Sequence, residues 1–113
     1  MIYKSFDTTE EFSKGKTSKV YEYKIEDSDI NYSIVKISGR FPEEKWAINY
    51  KCKELVHVLD GSGILVIGAT RYDLKKDDVV LLGTEEKYYF MGDMRLGVSS
   101  TPAWYPEQHD ILD

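Results

Sequence analysis

Alternating apolar and polar residues recur along most of the chain, in short segments separated by turn residues about every ten positions. A period of two residues is the spacing of side chains on one face of a β-strand, so the pattern favours a sandwich or barrel over alternating strands and helices. No long helix is predicted. The predicted strands, rich in Val, Ile, Leu, Tyr and Phe, are Lys19–Ile25, Ile30–Ser38, Ala47–Leu59, Ile64–Gly68, Val79–Leu82, Lys87–Met91 and Arg95–Ser100.

The Asp-Gly-Ser-Gly segment at positions 60–63 lies between two apolar runs. A glycine at such a place supplies the positive φ of a tight turn, so this segment predicts a β-hairpin. A phosphate-binding loop is the alternative interpretation, but no predicted helix follows the segment to present its N-terminus to an anion. Near the start of the chain, Thr8 and Glu11 form a capping box, which predicts one helical turn over Thr8–Phe12 before Gly15 ends it.

Length and charge limit the kinds of protein this chain can be. The 113 residues contain no linker-like stretch and fit one domain. We expect a single domain over 1–113, with a core barrel over about 18–102, a strand or turn at 1–17 and a tail at 103–113. The formal net charge is -5, and lysines and glutamates are interspersed. Nucleic-acid binding depends on a basic surface, so no nucleic-acid partner is expected.

Cysteine content and hydropathy predict a cytoplasmic location. Cys52 is the only cysteine, so no disulfide can form within the chain. The N-terminus lacks the apolar segment of a secretory signal. The longest apolar run, Val79–Leu82, is far shorter than the roughly 20 residues that span a bilayer, so no membrane partner is expected either.

Two segments resemble the motifs of one family. The segment Glu54–Gly63 resembles the second half of the first cupin motif, in which a glutamate precedes a turn glycine by seven positions. The segment Leu74–Gly83 resembles the opening of the second motif, where an aspartate begins an apolar strand, and residues 101–109 resemble the ending of short single-domain cupins. The resemblance covers roughly Ala47 to Pro102. It implies an all-β, cupin-type jelly-roll barrel (a double-stranded β-helix) with an open mouth and an internal pocket.

The metal-binding positions of those motifs are altered in this chain. In metal-binding cupins two histidines precede the glutamate by four and six positions, or by five and seven; here these positions hold Tyr50 and Ile48, or Asn49 and Ala47. The third histidine falls on Tyr88, so one ligand of four remains, Glu54. Transition metals prefer imidazole or thiolate ligands, so we expect no metal and no other cofactor. An atypical metal site of Glu54, Cys52 and tyrosine oxygens remains the alternative.

Glu54 is the strongest candidate for chemistry. In a regular strand it shares one face with Cys52 and Val56, and the resemblance directs this face inward. A carboxyl group in an apolar barrel is harder to ionise, which suits proton transfer near neutral pH; a glutamate satisfied by backbone amides or a lysine is the alternative. Cys52 is expected to pack as a small apolar residue. His57 projects from the opposite face, and His109 lies in the tail, where we expect it to be exposed.

The sequence therefore predicts a pocket for a small polar organic molecule, such as a sugar derivative or an organic acid. Two interpretations remain open: an enzyme with isomerase or epimerase-type proton transfer, in which Glu54 and Tyr88 are the catalytic groups, and a non-catalytic ligand sensor. A homodimer is expected, because open β-structures leave edges and apolar outer faces to cover. The predicted ligand-binding residues are Trp46, Asn49, Tyr50, Cys52, Glu54, Tyr88 and Phe90.

Overall fold

The computed structural model describes all 113 residues and contains nine β-strands and two single-turn 3-10 helices. The helices are Phe6–Thr8 and Pro106–Gln108. The strands are β1 (Glu10–Lys14), β2 (Ser18–Tyr23), β3 (Asn31–Phe41), β4 (Trp46–Asn49), β5 (Lys53–Ile67), β6 (Thr70–Lys75), β7 (Val79–Leu82), β8 (Tyr88–Thr101) and β9 (His109–Leu112). No helix is long and apolar enough to cross a membrane.

The long strand β8 organises the sheet. It pairs antiparallel with β3 along one edge, over Asn31–Phe41, and with β5 along the other, over Lys53–Ile67. Strands β2 and β1 continue the sheet beyond β3, whereas β6 and β7 pair with the two halves of β5. The short strand β4 contacts the start of β8 and also pairs with β9. The sheet curls into a half-barrel, and the predicted all-β architecture is confirmed.

The apolar core fills the inner side of this curled sheet. Alternate residues of β5 and β8 point inward, as the period-two pattern predicts, and they meet inward residues from β3, β4, β6 and β7. The outward residues between them are partly or largely exposed. The buried core cluster consists of Ile37, Ala47, Val56, Val58, Leu65, Leu74, Leu82, Tyr88, Phe90, Met94, Leu96 and Val98.

The predicted hairpin at 60–63 is wrong, because β5 continues through this segment to Ile67. The glycines there serve close packing between strands instead of a turn. Gly61, with φ of 82°, follows a bulge between Val58 and Asp60 where β5 lies against β8. The hairpin turn lies further on, at Gly68–Ala69, which joins β5 to β6.

Three other predicted elements differ from the structure. The predicted strand Ala47–Leu59 is interrupted between β4 and β5, at residues 50–52. The predicted helical turn over Thr8–Phe12 is displaced: the 3-10 turn ends at Thr8, and strand β1 begins at Glu10. The segment 103–113 is more than a tail, since it contains β9, which pairs with β4.

Candidate functional site

A cavity of about 630 Å³ opens on the inner side of the sheet. Residues of β1 and alternate residues of β2 and β3 form one wall, and the segment Trp104–Pro106 and His109 also line the cavity. Glu54 of β5 and Tyr88 of β8 lie at its base, where the cavity meets the core. The wall formed by β1, β2 and β3 consists of Phe12, Ser13, Lys14, Ser18, Val20, Glu22, Asn31, Ser33, Val35 and Phe41.

Glu54 is a largely desolvated carboxyl group at this cavity. Its strand places it opposite Ser100 on one side and Leu82 on the other. One carboxylate oxygen, Oε1, accepts a hydrogen bond of 2.5 Å from Nδ2 of Asn49. Burial raises the pKa of Glu54, although the Asn49 hydrogen bond and the positive charge of Lys14 both oppose the rise. The group therefore takes up or releases a proton closer to neutral pH than an exposed glutamate does.

Asn49 lies behind the cavity and is 1% exposed. Its Oδ1 accepts hydrogen bonds from Trp104 Nε1 at 3.3 Å and Gln108 Nε2 at 2.8 Å, and it lies 3.1 Å from His109 Nδ1. Buried amides are stable only when their polar atoms have partners, and this side chain uses both its oxygen and its nitrogen. Asn49 therefore connects Glu54 to the C-terminal segment.

Lys14 brings a positive charge into the cavity. Its Nζ lies 4.2 Å from the centre of the Trp104 ring, within the range of a cation–π interaction. Burial lowers the pKa of Lys14, whereas the carboxylates of Glu54 and Glu22 act against the decrease. The cavity thus holds one lysine between two acidic residues.

Tyr88 and His109 complete the ionisable groups of the cavity. Burial raises the pKa of Tyr88 well above its usual value, the charge of Glu54 adds to the rise, and Asn49 opposes it. The phenol therefore keeps its proton at neutral pH. Burial also lowers the pKa of His109 to about 4; the positive charge of Lys14 lowers it further, and Asp110 opposes the decrease. The imidazole is therefore neutral at physiological pH.

The structure brings some of the predicted ligand-binding residues together and separates others. Glu54 and Tyr88 line the cavity, and Asn49 contacts Glu54 from behind. Tyr50 is 40% exposed and points away, because the chain leaves the regular strand conformation at 50–52 and the alternation of faces is interrupted there. Cys52 is fully buried outside the cavity lining, and this burial raises the pKa of its thiol.

The remaining two predicted aromatic residues do not line the cavity. Phe90 lies in the core, packed edge-on against Tyr88 with ring centres 5.7 Å apart. Trp46 packs against Tyr89, with ring centres 5.2 Å apart. Tyr89 neighbours Tyr88 along β8 and points to the opposite face of the sheet, so Trp46 belongs to that side.

Sequence reasoning missed His109, Lys14 and Trp104 as cavity residues. The expectation that His109 is exposed is wrong, since β9 pairs with β4 and places His109 opposite Asn49. These two residues are 60 positions apart, and no local pattern reports such a pairing. For Lys14, the only available signal was its alternation with Phe12 in a short segment. His57 does project outward as predicted, and its Nε2 lies 3.2 Å from an Asp77 carboxylate oxygen.

The residues of the cavity do not fit a transition metal. One carboxylate, Glu54, stands at the position of a cupin ligand, and its Oε1 is already bonded to Asn49. Nδ1 of His109 contacts Asn49, so this imidazole has only its Nε2 to offer a metal. No group of three histidine, cysteine or acidic side chains is arranged to hold a metal ion. A carboxylate with an amide and a buried phenol is a poor ligand set for such metals.

Comparison with known proteins finds no matching sequence family and no matching curated protein. Solved structures do match. One is Streptomyces Pac13, described as a nucleoside dehydratase. Its histidine-to-glutamine variant, solved with uridine, superposes on this chain with a TM-score of 0.89 at 15% sequence identity. The match covers 100% of this chain and 92% of Pac13. Ectoine synthase from P. lautus has a TM-score of 0.77 at 21% identity, with 100% of this chain and 91% of the synthase covered.

Oxalate decarboxylase from Bacillus subtilis also matches, with a TM-score of 0.80 at 11% identity; the match covers 96% of this chain and 31% of the decarboxylase. At such identities a structural match demonstrates a common fold. All three proteins have the cupin-type jelly roll, in agreement with the motif resemblance at Glu54–Gly63. The protein is therefore a small cupin-type jelly roll of one domain.

Proposed function

We propose that this cupin binds a small polar organic molecule in its cavity and that Glu54 transfers a proton to or from it without a transition metal. The observation that carries the proposal is the position of Glu54, a carboxyl group of raised pKa at the cavity wall with an ammonium group and a phenol nearby. Groups of perturbed pKa that meet in a cavity are enriched at catalytic sites.

The three groups suit the removal of a proton from a carbon atom beside a carbonyl. A carboxylate with a raised pKa is a stronger base than an exposed one, so Glu54 is the proposed base. The negative charge that then develops on the carbonyl oxygen is stabilised by a nearby cation or hydrogen-bond donor, roles proposed for Lys14 and Tyr88. Isomerisation, epimerisation and elimination of water all begin with this step.

The walls of the cavity favour a sugar derivative as the bound molecule. Phe12, Trp104 and Tyr105 present aromatic rings on which a flat ring or sugar face can stack. A volume of about 630 Å³ lies within the range of pockets for molecules of nucleoside size. The solved structure of Pac13 with uridine supports the same class of ligand.

Deuterium incorporation tests this function while the substrate itself is still unidentified. We expect the wild-type protein, incubated in D2O with a panel of sugars and nucleosides that includes uridine, to exchange a carbon-bound hydrogen or release water from at least one compound, detected by mass spectrometry. Glu54→Gln should lower this rate by at least about a hundredfold, the usual contribution of a general base.

Glu11→Gln provides the matched control, since Glu11 is exposed on β1 and lies outside the cavity lining. Its rate should equal that of wild type. An unchanged rate in Glu54→Gln would remove Glu54 as the base. If uridine or a sugar bound equally well to wild type and Glu54→Gln, with no reaction in either, the site would be that of a ligand sensor.

The proposed setting is the cytoplasm, and the proposed partner is a second copy of the chain. The single cysteine, Cys52, is buried and unpaired, as expected of a protein from a reducing compartment. The outer face of β5 and β7 exposes Leu55, Val79 and Leu81, which supports self-association through this face.

A further inference from the structure

We propose that His109 is a second functional group of the cavity: Asn49 holds its imidazole as the Nδ1–H tautomer, and the unprotonated Nε2 accepts a hydrogen bond from a hydroxyl or N–H group of the ligand. This inference rests on the proposed ligand-binding function and specifies the chemistry of the ligand. The donors and acceptors around the Asn49 side chain determine the tautomer.

The first step is the orientation of the Asn49 amide. The indole Nε1 of Trp104 can only donate, so the Asn49 atom 3.3 Å from it is the acceptor, Oδ1. Gln108 gives the same answer independently. Its own Oε1 accepts from the backbone N–H groups of Lys51 and Cys52, at 3.2 and 3.1 Å, so its Nε2 must be the atom that donates to Asn49 Oδ1. The oxygen of Asn49 therefore faces the C-terminal segment.

The second step is the tautomer of His109. Its Nδ1 lies 3.1 Å from Asn49 Oδ1, an atom that has no hydrogen to donate. The hydrogen of this bond must therefore be on Nδ1. A neutral imidazole carries one such hydrogen, so Nε2 retains its lone pair. Nε2 has no hydrogen-bond partner within the protein, and His109 lines the cavity, so this lone pair is available to a ligand.

The surroundings of the ring keep it neutral. Lys14 of β1 lies close enough for its positive charge to lower the pKa of His109, and the Trp104 ring packs against the imidazole with ring centres 5.6 Å apart. Asp110, on the same strand as His109, is the neighbouring acidic residue that favours protonation of the ring. Glu54 is bonded to Asn49 Nδ2, on the other side of the amide, and Tyr88 is close to Glu54 and Asn49. Burial and the lysine outweigh Asp110 and place the pKa of His109 at about 4.

A ligand therefore meets acceptors on both sides of Asn49. The same amide donates to Glu54, which favours the carboxylate form, and fixes His109 with its lone pair free. Two acceptors repel the oxygen atoms of a polycarboxylate and bind the hydroxyl groups of a sugar or nucleoside. Lys14 is the one lysine or arginine of the cavity lining and can pair with one carboxylate, so the site favours a polyhydroxylated molecule over an organic polyacid with several carboxylates.

Nitrogen NMR tests the tautomer directly and needs no ligand. The chain has two histidines, so His57→Gln leaves His109 as the only imidazole, and His57 is a surface residue outside the cavity. In the 15N-labelled variant at pH 7 we expect a protonated Nδ1 and an unprotonated Nε2, with a titration midpoint near 4. A hydrogen on Nε2, a mixture of tautomers, or a doubly protonated ring at pH 6 would overturn the proposal.

Acylation by diethyl pyrocarbonate tests whether Nε2 is open to the cavity, because an unprotonated imidazole nitrogen attacks a carbonyl carbon of this reagent and expels ethyl carbonate. We expect peptide mass spectrometry to find the folded His57→Gln variant acylated at His109 at pH 6. Acylation only after unfolding would overturn the claim that Nε2 is presented to ligands. Both readouts are independent of Glu54, so a failure of the catalytic proposal and a failure of this one are distinguishable.

Discussion

The chemistry of the cavity depends on one buried amide. Asn49 occupies one of the positions at which metal-binding cupins carry histidine, and it contacts Glu54 and His109 at the same time. A carboxamide cannot ionise, so it fixes the hydrogen-bonding state of both neighbours over a wide range of pH. An amide at this position thus contacts both Glu54 and His109.

The ionised Glu54 side chain should lower the free energy of unfolding at the pH at which it is proposed to act as a base. Its pKa in the folded protein lies above 4.5, so the folded state binds the proton more tightly than the unfolded state does. The stabilisation from this proton is complete below 4.5 and is lost as the pH rises through the folded pKa. Glu54→Gln keeps an acceptor for Asn49 and removes the buried charge. We expect it to be about 1 kcal/mol more stable than wild type at pH 8.

Urea unfolding at pH 4 and pH 8 checks this expectation. The difference between Glu54→Gln and wild type should be small at pH 4, where the wild-type carboxyl group is protonated, and should grow toward pH 8. If the variant and wild type were equally stable at both pH 4 and pH 8, or if the variant were less stable at pH 8, the burial cost of the Glu54 carboxylate would be offset by its partners. Glu54 would then lack the raised pKa that the proposed catalysis requires.

At the scale of the strands, the sequence predicts strands with one buried apolar face better than strands that are exposed on both faces. Strands β2, β3 and β7 lie close to their predicted limits, since one face of each is buried and the apolar period is clear. The edge strands β6 and β9 were not predicted, and for β1 the sequence predicted only a strand or turn within residues 1–17. Most of their residues are exposed on both faces, so they carry little alternation.

Glycines caused the errors in the middle of β5 and β8. A glycine between two apolar runs is compatible with a turn and with a close approach of two backbones, and the sequence alone does not separate these cases. In this fold β5 and β8 remain paired where both contain glycine: Gly63 is the register partner of Gly92. Two predicted strands therefore merge into β8, over Tyr88–Thr101, and two others are joined within β5.

Gly92→Ala should be strongly destabilising for this reason. Gly92 has φ of 146°, and a Cβ atom there would lie 2.6 Å from both the Gly63 Cα and the Ser62 oxygen. These are backbone atoms of the paired strand and cannot move aside easily. We expect a loss of about 3 kcal/mol in the free energy of unfolding, from overpacking combined with an unfavourable φ.

Gly68→Ala is the matched control for this substitution. Gly68 also has a positive φ, 59°, but nothing lies within 4 Å of the added atom. The expected loss is about 1 kcal/mol, the cost of the left-handed conformation alone. Chemical denaturation of both variants measures the difference. Similar losses in the free energy of unfolding for the two variants would show that β5 and β8 accommodate the added Cβ atom without loss of stability. The positive φ would then account for the whole effect.

The site was predictable only where family spacing identified it. Glu54 followed from its distance to Gly61, and Tyr88 from the position of an absent histidine. His109 and Lys14 reach the cavity through β9 and β1, whose pairing with β4 and β2 is a property of the folded sheet. The ends of the chain therefore contribute two ionisable groups of the cavity that the motif segments Glu54–Gly63 and Leu74–Gly83 do not include.

For the whole molecule, the two sides of the curled sheet have different roles. The inner side holds the core and the cavity, whereas the outer side of β5 and β7 leaves a group of apolar residues in water. Leu55, Val79 and Leu81 are 47%, 55% and 62% exposed, and Leu55 is the register partner of Leu81. The four-residue strand β7 pairs only with β5, so its other edge is free.

A second copy of the chain is the partner that suits this face, because a two-fold axis would place the same apolar group and the same free edge opposite each other. We expect a dimer by light scattering at micromolar concentration, and Leu81→Glu should make the protein monomeric without unfolding it. Ile30→Glu is the control, since Ile30 is 46% exposed in the loop before β3, and it should remain dimeric. A monomeric wild type, or a dimer that persists in Leu81→Glu, would rule out pairing through β5 and β7.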